Sequence, residues 1–304
     1  MRFLRRCGRS RSRSAIISPL PTLSETQPHC FSAQHIGHRE SQQDCFANLE
    51  LGRPSGKLVM AVVCDGMGGL AYGAEAAQIA CESFVETCKS APPDEDTPAV
   101  LDRAIQEANR AVAEMAGRRQ CLGNAGTTLA AAAFSAEGLH WIAAGDSAIL
   151  LYRNGALTRL NHPHTYAAIL DARALVGEIS RSAALEDRQR DALTSFVGVP
   201  SLRDVDASIR PFPLASGDIV LVASDGLTKT LEFDQIEPLL AEGPRDPARS
   251  LVEAVLAKGR PHQDNVTVCV LSLAGSGKRG GCLGAAVVAA GLCALALAAA
   301  RWPE

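Results

Sequence analysis

The sequence predicts an α+β fold in which β-sheets and helices form separate layers. Short apolar runs recur along the chain, as at residues 58–64 and 266–273, and such runs are typical of buried strands. Two longer segments, beginning at Ala74 and Thr97, show apolar residues at helical spacing instead. Because the strands are grouped around paired helices, we expect a layered α+β arrangement.

The N-terminal part of the domain is predicted to contain strands, two helices and then more short strands. The first helix runs from Ala74 to about Lys89. In the second, Thr97 is the predicted N-cap, Pro98 takes the first helical position and Gly117 ends the helix. After a first strand near Cys30, the predicted strands occupy residues 46–51, 58–64, 127–135, 139–144, 148–153 and 156–160.

The C-terminal part is predicted to complete the same domain. Asn154-Gly155 is typical of a hairpin turn between two strands. Residues 162–196 are charged and break the pattern, which leaves a solvated helical excursion as one interpretation. The remaining predicted elements are a strand at 218–224, helices near 234–241 and 246–258, and a strand at 266–273.

Composition excludes several classes of function. The net charge is −3 and arginine is concentrated in the first thirteen residues, so we expect no nucleic-acid partner. The ten cysteines include no Cys-x-x-Cys pair, which favours a reducing cytoplasm over a disulfide framework or a zinc site. Residues 1–28 are interpreted as a disordered basic N-terminal tail, with a wrongly chosen start codon or a transit peptide left open.

Residues 281–300 are predicted to form a transmembrane helix after a flexible basic linker at 275–280. The segment carries no charge, and a helix of this length spans about 30 Å, the hydrocarbon thickness of a bilayer. Lys278 and Arg279 precede it and only Arg301 follows it, which predicts a single-pass membrane protein with the preceding domain in the cytoplasm. The Ala-rich composition leaves a surface-docked or packing helix as the alternative.

Aspartates recur where predicted strands begin or end. The motifs that carry them read Arg39-Glu40-Ser41-Gln42-Gln43-Asp44, Asp65-Gly66-Met67-Gly68-Gly69, Ser224-Asp225-Gly226-Leu227 and Asp264-Asn265-Val266-Thr267. A carboxylate at the end of an apolar strand is costly unless something compensates its charge. If these aspartates converge they need cations between them, and hard divalent ions such as Mg²⁺ and Mn²⁺ take oxygen ligands of this kind.

The order of these motifs resembles the metal-dependent serine/threonine protein phosphatases of the PP2C family, in the prokaryotic form with Met67 after Asp-Gly. The resemblance covers roughly residues 29–274, and further matches are Gly73, Glu75, Gly126-Thr127-Thr128 and Gly145-Asp146-Ser147. It implies a four-layer α-β-β-α sandwich, two antiparallel β-sheets flanked by helices, to which residues 281–300 add a C-terminal single transmembrane helix. It also makes residues 162–196 a mobile flap beside the active site.

The resemblance further implies roles for the aspartates in holding two Mn²⁺ or Mg²⁺ ions. Asp65 would bridge both ions, and the carbonyl of Gly66 would be a ligand of the second. Asp225 and Asp264 would complete the first, and Asp44 would bind metal-bound waters.

Other family positions are expected to support this centre. Asp146 would hold a third ion, with Thr165 nearby. Gln43 would supply an oxygen ligand without a charge. Asn265 would orient a bound water, and Thr127 would support the ligands from behind.

Several positions depart from the family pattern. Met67 stands where animal members carry a histidine proposed as general acid, and Ala148 replaces an arginine that often follows Gly-Asp-Ser. Residues 162–165 read His-Pro-His-Thr where the family usually has an acid before the histidine, and His164 is interpreted as structural. These changes bear on substrate handling and the third ion more than on the two-metal core.

Hydrolysis of phosphoserine and phosphothreonine by a metal-activated water is the function that the resemblance implies. Arg39 matches the family's phosphate-binding arginine, so the catalytic set is Arg39, Asp65, Asp225 and Asp264. The expected partners are phosphorylated proteins, a cognate Ser/Thr kinase and the membrane. A catalytically weak scaffold that binds phosphoproteins and a hydrolase of small phosphate esters remain alternatives.

Overall fold

The computed structural model describes residues 28–54, 56–67, 72–135 and 137–273. The strands are β1 (Pro28–His35), β2 (Asp44–Arg53), β3 (Gly56–Asp65), β4 (Leu129–Ser135), β5 (Gly138–Ala144), β6 (Ala148–Arg153), β7 (Ala156–Arg159), β8 (Asp206–Ala207), β9 (Ile219–Ala223) and β10 (Val266–Leu273). The helices are α1 (Gly73–Ser90), α2 (Thr97–Arg118), α3 (Tyr166–Leu175), α4 (Arg181–Glu186), α5 (Asp225–Thr228), α6 (Phe233–Ala241) and α7 (Pro247–Ala257). The predicted tail up to residue 27, the linker at 275–280 and the predicted helix at 281–300 lie outside the described residues.

The strands form two antiparallel sheets that pack face to face. One sheet has the order β1-β10-β9-β6-β7, and the other has the order β2-β3-β4-β5-β8. Their facing sides contribute a shared apolar core, with Val63 and Ala130 from one sheet against Ile149 and Val222 from the other. Each of these four side chains is fully buried, so the contact between the sheets excludes water.

Helices cover the outer face of each sheet. Phe84 of α1 and Ile105 of α2 pack with Met60 of β3 in a second core. Leu251 of α7 packs with Val268 of β10 in a third. The layers therefore follow the order helix, sheet, sheet, helix, as expected when both faces of each sheet are apolar.

The predicted fold class needs correction because it included a transmembrane helix. Within the residues that the structure describes, no helix has both the length and the apolar character needed to cross a membrane. Residues 281–300, on which that part of the prediction depended, lie outside them. The fold found here is the layered domain alone, and the single-pass location at a membrane stays a prediction.

The predicted hairpin turn is present, and the predicted start and end of the second helix lie within a residue of those observed. Asn154 and Gly155 have φ of 54° and 85°, as a two-residue hairpin turn requires. The helix expected to start with Thr97 as N-cap has Asp96 at that position, and it continues through Gly117. Gln120, with φ of 55°, takes the left-handed conformation just beyond the helix that a glycine commonly supplies.

The fold brings the ends of four strands together at one end of the sandwich. Asp44 at the start of β2 is the cross-strand partner of Asp65 at the end of β3. In the other sheet, Asp225 follows β9, and Asp264 precedes β10, with which β9 pairs. Since the two sheets pack face to face, carboxylates from both meet at this end.

Candidate active site

A cavity of about 410 Å³ at this end of the sandwich gathers side chains from all four aspartate motifs. The charged side chains that line it are Arg39, Asp65, Asp146, Asp191, Asp225, Lys229 and Asp264. The predicted residues Gln43, Gly66 and Asn265 line it as well. The structure therefore brings together the acids that the sequence spreads over more than half of the chain.

Asp44 is the buried carboxylate behind this cavity, and only 7% of the residue is exposed. Its Oδ2 accepts hydrogen bonds from Ser224 Oγ at 2.8 Å and Thr267 Oγ1 at 2.7 Å. Its Oδ1 is buried without a hydrogen-bond partner in the described part of the chain. Burial raises the pKa of Asp44 to about 6, although both hydroxyls oppose the shift. A buried acceptor without a partner is the kind of group that a cation would compensate.

Asp65 lies at the centre of the acidic cluster. Burial raises the pKa of its carboxyl well above the ordinary value, and the charges of Asp44, Asp225 and Asp146 raise it further. The backbone at this position is held on both sides, because its N–H donates to Thr128 Oγ1 at 3.0 Å and its carbonyl accepts from Thr128 N at 2.8 Å. The chain thus fixes Asp65 where its charge is least favourable without a cation.

Asp225 and Asp146 share one cation of the protein, Lys229. Asp225 opens α5, and Lys229 follows one turn later with its Nζ bonded to Asp225 Oδ2. The same Nζ lies 3.9 Å from Asp146 Oδ2. Burial and the charge of Asp225 raise the pKa of Asp146 to about 6, and the positive charge of Lys229 opposes that shift.

Asp264 is paired with Arg39 at the cavity rim. Arg39 Nε lies 2.8 Å from Asp264 Oδ1, and Arg39 Nη2 donates to Asp264 Oδ2 at 2.8 Å. This is the two-pronged geometry with which a guanidinium also recognises phosphate. About half of the Arg39 side chain (48%) is exposed, so the guanidinium is accessible from solvent.

Asn265 is hydrogen-bonded to the backbone of the loop that precedes β2. Its Nδ2 donates to the carbonyls of Ile36 at 2.8 Å and Ser41 at 3.2 Å, and its Oδ1 accepts from Gln43 N at 2.8 Å. The residue is 4% exposed. Asn265 therefore holds the loop that carries Arg39 and Gln43 against the start of β10.

Gly66 occupies a position where no side chain fits. A Cβ there would lie 2.3 Å from the carbonyl oxygen of Gly73 and 2.7 Å from that of Gln43. Its N–H donates to the same Gln43 carbonyl at 3.0 Å. The requirement for glycine next to Asp65 is therefore steric, and it keeps the Gly66 backbone at the cavity wall.

Two predicted supporting residues have different positions. Thr127 is fully buried behind the site and forms β-bridges with Gly66 and Val197, so it supports the backbone after Asp65. Thr165 precedes α3 and pairs with Leu193. Its neighbour His164 is hydrogen-bonded to Gly145, so the segment with Thr165 lies against the turn before Asp146, although Thr165 is not among the described residues that line the cavity.

Residues 162–196 are anchored to the site at both ends. They contain α3 and α4 and return to the cavity at Leu193 and Phe196. The ring Nδ1 of His164 accepts a hydrogen bond from Gly145 N at 3.1 Å, and the backbone N–H of His164 donates to the Gly145 carbonyl at 3.0 Å. His164 thereby supports the turn before Asp146.

Metal ions fit the donor set of this site. In the described residues no three His, Cys, Asp or Glu side chains converge closely enough to hold an ion as they stand. Two of the acids are instead paired with the protein's own cations, since Arg39 contacts both oxygens of Asp264 and Lys229 contacts one oxygen of Asp225. The unpaired Asp44 Oδ1 and the raised pKa of Asp65 show that the negative charge remains undercompensated. An all-oxygen set of this kind suits Mn²⁺ or Mg²⁺.

Several residues that shape the site were not predicted. The hydroxyls of Ser224 and Thr267 bind Asp44, and Thr267 N–H also donates to Ser224 Oγ at 3.0 Å. Arg159, at the end of the neighbouring hairpin strand β7, donates to the Asp146 carbonyl at 2.7 Å. The i,i+4 spacing of Asp225 and Lys229 could have indicated that pair, whereas Arg159 carries no local signal.

Known proteins with a similar sequence or structure include several phosphatases. Residues 32–263 match the family model described as Protein phosphatase 2C. The serine/threonine phosphatase stp of Listeria innocua is 27% identical over 237 residues, which is 77% of this chain and 90% of that protein. The PPM Ser-Thr phosphatase MsPP from Mycobacterium smegmatis, solved with cacodylate, gives a TM-score of 0.63 at 29% identity over 81% of this chain and 98% of that chain. The catalytic domain of the phosphatase PstP, solved with 2 manganese ions, gives a TM-score of 0.64 at 26% identity over 81% and 98%.

The raised carboxyl pKa values predict an unusual pH dependence of stability for the metal-free protein. The pKa values of Asp44 and Asp146 rise from 3.8 to about 6 on folding, so the folded state binds their protons more tightly. The stability they contribute is fully present below pH 3.8 and is lost as the pH rises through about 6. Urea unfolding in EDTA should therefore show the wild type losing stability relative to Asp146→Asn between about pH 4 and pH 7. A difference in stability between the two proteins that does not change with pH would contradict the raised pKa of Asp146.

Proposed function

Because this chain belongs to the protein phosphatase 2C family of serine/threonine phosphatases, we propose that it hydrolyses phosphoserine and phosphothreonine in proteins and opposes a Ser/Thr kinase. The observation that carries the proposal is the convergence of oxygen donors from both sheets on one cavity, with an accessible guanidinium at its rim. Neither sheet could assemble this set alone.

Five positions supply the oxygens that would hold the metal ions. They are the carboxylates of Asp44, Asp65, Asp225 and Asp264 and the carbonyl of Gly66. When bound, two Mn²⁺ or Mg²⁺ ions lower the pKa of water and neutralise negative charge on the phosphoryl group. The protein itself contributes fixed positions, because strand pairing and buried hydroxyls hold Asp44 and Asp65 before any ligand arrives.

Arg39 is positioned to bind the phosphate of the substrate. In the structure its guanidinium is bonded to Asp264, so the same fork that pairs with a carboxylate is available for two phosphate oxygens. If the guanidinium moved from Asp264 to the phosphate, the Asp264 carboxylate would become free to bind a metal ion. Substrate binding by Arg39 would thus make the last carboxylate ligand available.

The remaining walls of the cavity suit a phosphorylated side chain on a protein surface. Leu193 and Phe196 line the cavity together with the acids and offer apolar contact to the Cβ region of the substrate residue. Met67 lines the same cavity and carries no proton to donate. Solvent would therefore protonate the departing serine or threonine oxygen.

Phosphate release from a phosphothreonine peptide tests the proposal directly. We expect turnover with Mn²⁺ and none in excess EDTA. Even outer-shell partners of a metal change activity by about 10- to 100-fold, so Asp225→Asn, which alters a ligand, should lower kcat by at least about 100-fold. Lys57→Met, which breaks an exposed ion pair with Glu50 at the far end of β2 and β3, is the matched control and should be fully active. Full activity in EDTA, or turnover only with small phosphate esters, would contradict the proposal.

Arg39→Ala should weaken substrate binding without weakening the binding of Mn²⁺. Loss of a charge-assisted contact of about 1.5–3 kcal/mol should raise KM for the phosphopeptide by about 10- to 100-fold. Mn²⁺ affinity, measured by calorimetry, should stay the same or increase because Asp264 loses its competing partner. Arg249→Ala, which breaks an exposed ion pair with Glu253 on α7, is the control and should change neither quantity. An unchanged KM in Arg39→Ala would mean that Arg39 is an ordinary surface charge that does not bind the substrate.

A further inference from the structure

Lys229 places a positive charge inside the acidic cluster itself. It follows Asp225 by four residues, a spacing that brings two side chains to the same face of a helical turn. Its N–H donates to the Asp225 carbonyl at 2.7 Å, and its own carbonyl accepts from Arg260 Nη1 at 2.6 Å. The backbone of Lys229 is therefore fixed on both sides, and its side chain extends from a defined point.

The ammonium of Lys229 lies between two carboxylates from different parts of the fold: Asp146, in the turn between β5 and β6, and Asp225, just after β9. It is bonded to Asp225 Oδ2 and lies 3.9 Å from Asp146 Oδ2, and both acids line the cavity with it. Asp191, from the segment that returns to the cavity, lines it as well; burial lowers the pKa of Lys229, but the charges of Asp225, Asp146 and Asp191 raise it above its ordinary value. A single cation surrounded by three acids has the charge environment that an additional metal ion would have.

We propose that the Lys229 ammonium occupies the place of a third cation, between Asp146 and Asp225, so that the protein binds two divalent ions and not three. This inference rests on the proposed metal-dependent phosphatase function. It replaces the expectation that Asp146 holds a third ion, because the Lys229 ammonium already contacts the Asp225 carboxylate and lies near that of Asp146.

A metal ion near Asp146 would compete with contacts that the protein already makes. The main-chain carbonyl of Asp146 already accepts a hydrogen bond from Arg159 at 2.7 Å. An ion at this place would have to displace the ammonium, and one of its carboxylate ligands, Asp225, would be shared with the first metal.

The consequence is a positive charge that does not depend on metal concentration. A loosely bound third ion would be present only at high concentrations of Mn²⁺ or Mg²⁺. Lys229 supplies one charge at the same place under all conditions in which it stays protonated. It also acts as a positioning residue, because it leaves the second oxygen of Asp225 free to act as a ligand.

The stoichiometry of Mn²⁺ binding to the full chain tests this role. Calorimetry or equilibrium dialysis should give two ions for the wild type and two for Lys229→Arg, which keeps the charge. Lys229→Met removes the charge and keeps the stem, so it should gain one ion, and Lys229→Gln should do the same if the methionine variant does not fold. Lys57→Met, which removes an exposed lysine paired with Glu50, should remain at two.

The possible outcomes separate this inference from the proposed function. Three ions on the wild type, or two on both neutral Lys229 variants, would overturn the role of Lys229 and leave the metal-dependent function intact. No Mn²⁺ binding by the wild type at all would overturn both. A third ion gained by Lys229→Met and not by Lys229→Arg would establish that charge, and not side-chain length, sets the count.

Discussion

Mutual repulsion among buried aspartates is the constraint on which the rest of this structure depends. Asp44 and Asp65 are opposed across two antiparallel strands, and Asp65 lies within the field of Asp225, Asp146 and Asp264. Folding removes these groups from water, and burial is the largest cause of the raised pKa of each affected carboxyl. The sandwich supplies the energy that holds them, through three apolar cores between its layers. The acids are thus positioned by the fold at a cost that bound cations would remove.

The chain reduces this cost in ways that also prepare the site for ligands. Hydroxyls from the opposite sheet satisfy one oxygen of Asp44 and leave the other unpaired. Arg39 and Lys229 pair with Asp264 and Asp225 and are about equally exposed, but Asp225 is more buried than Asp264, and Lys229 also lies near Asp146. Arg39 is at the rim, where a phosphate can compete for it, whereas Lys229 lies between two acids. We therefore infer that Arg39 exchanges Asp264 for the substrate phosphate, whereas Lys229 stays between Asp146 and Asp225.

The sequence could predict most of the fold because its signals were local. Apolar runs marked the strands, and hairpin and helix-end residues marked the connections, as at Asn154-Gly155. The aspartates could be found because each adjoins such a run. The partners of those aspartates could not, since the Thr267 hydroxyl reaches Asp44 only because the two sheets pack face to face, and no local pattern directs Arg159 to the Asp146 carbonyl. Thr165 was placed by analogy, and its pairing with Leu193, which ties the start of α3 to the segment returning to the cavity, had no signal in the sequence.

The central claim is that the acidic cluster destabilises the fold until cations bind, and thermal unfolding of Asp65→Asn tests it most directly. Asparagine at this position keeps the shape and removes one charge from the centre of the cluster. Without metal, the variant should unfold at a higher temperature than the wild type. Adding Mn²⁺ should raise the wild-type midpoint more than that of the variant, because an ion that binds only the folded state stabilises it by mass action. A metal-free variant less stable than the wild type, with no effect of Mn²⁺ on either protein, would contradict the account.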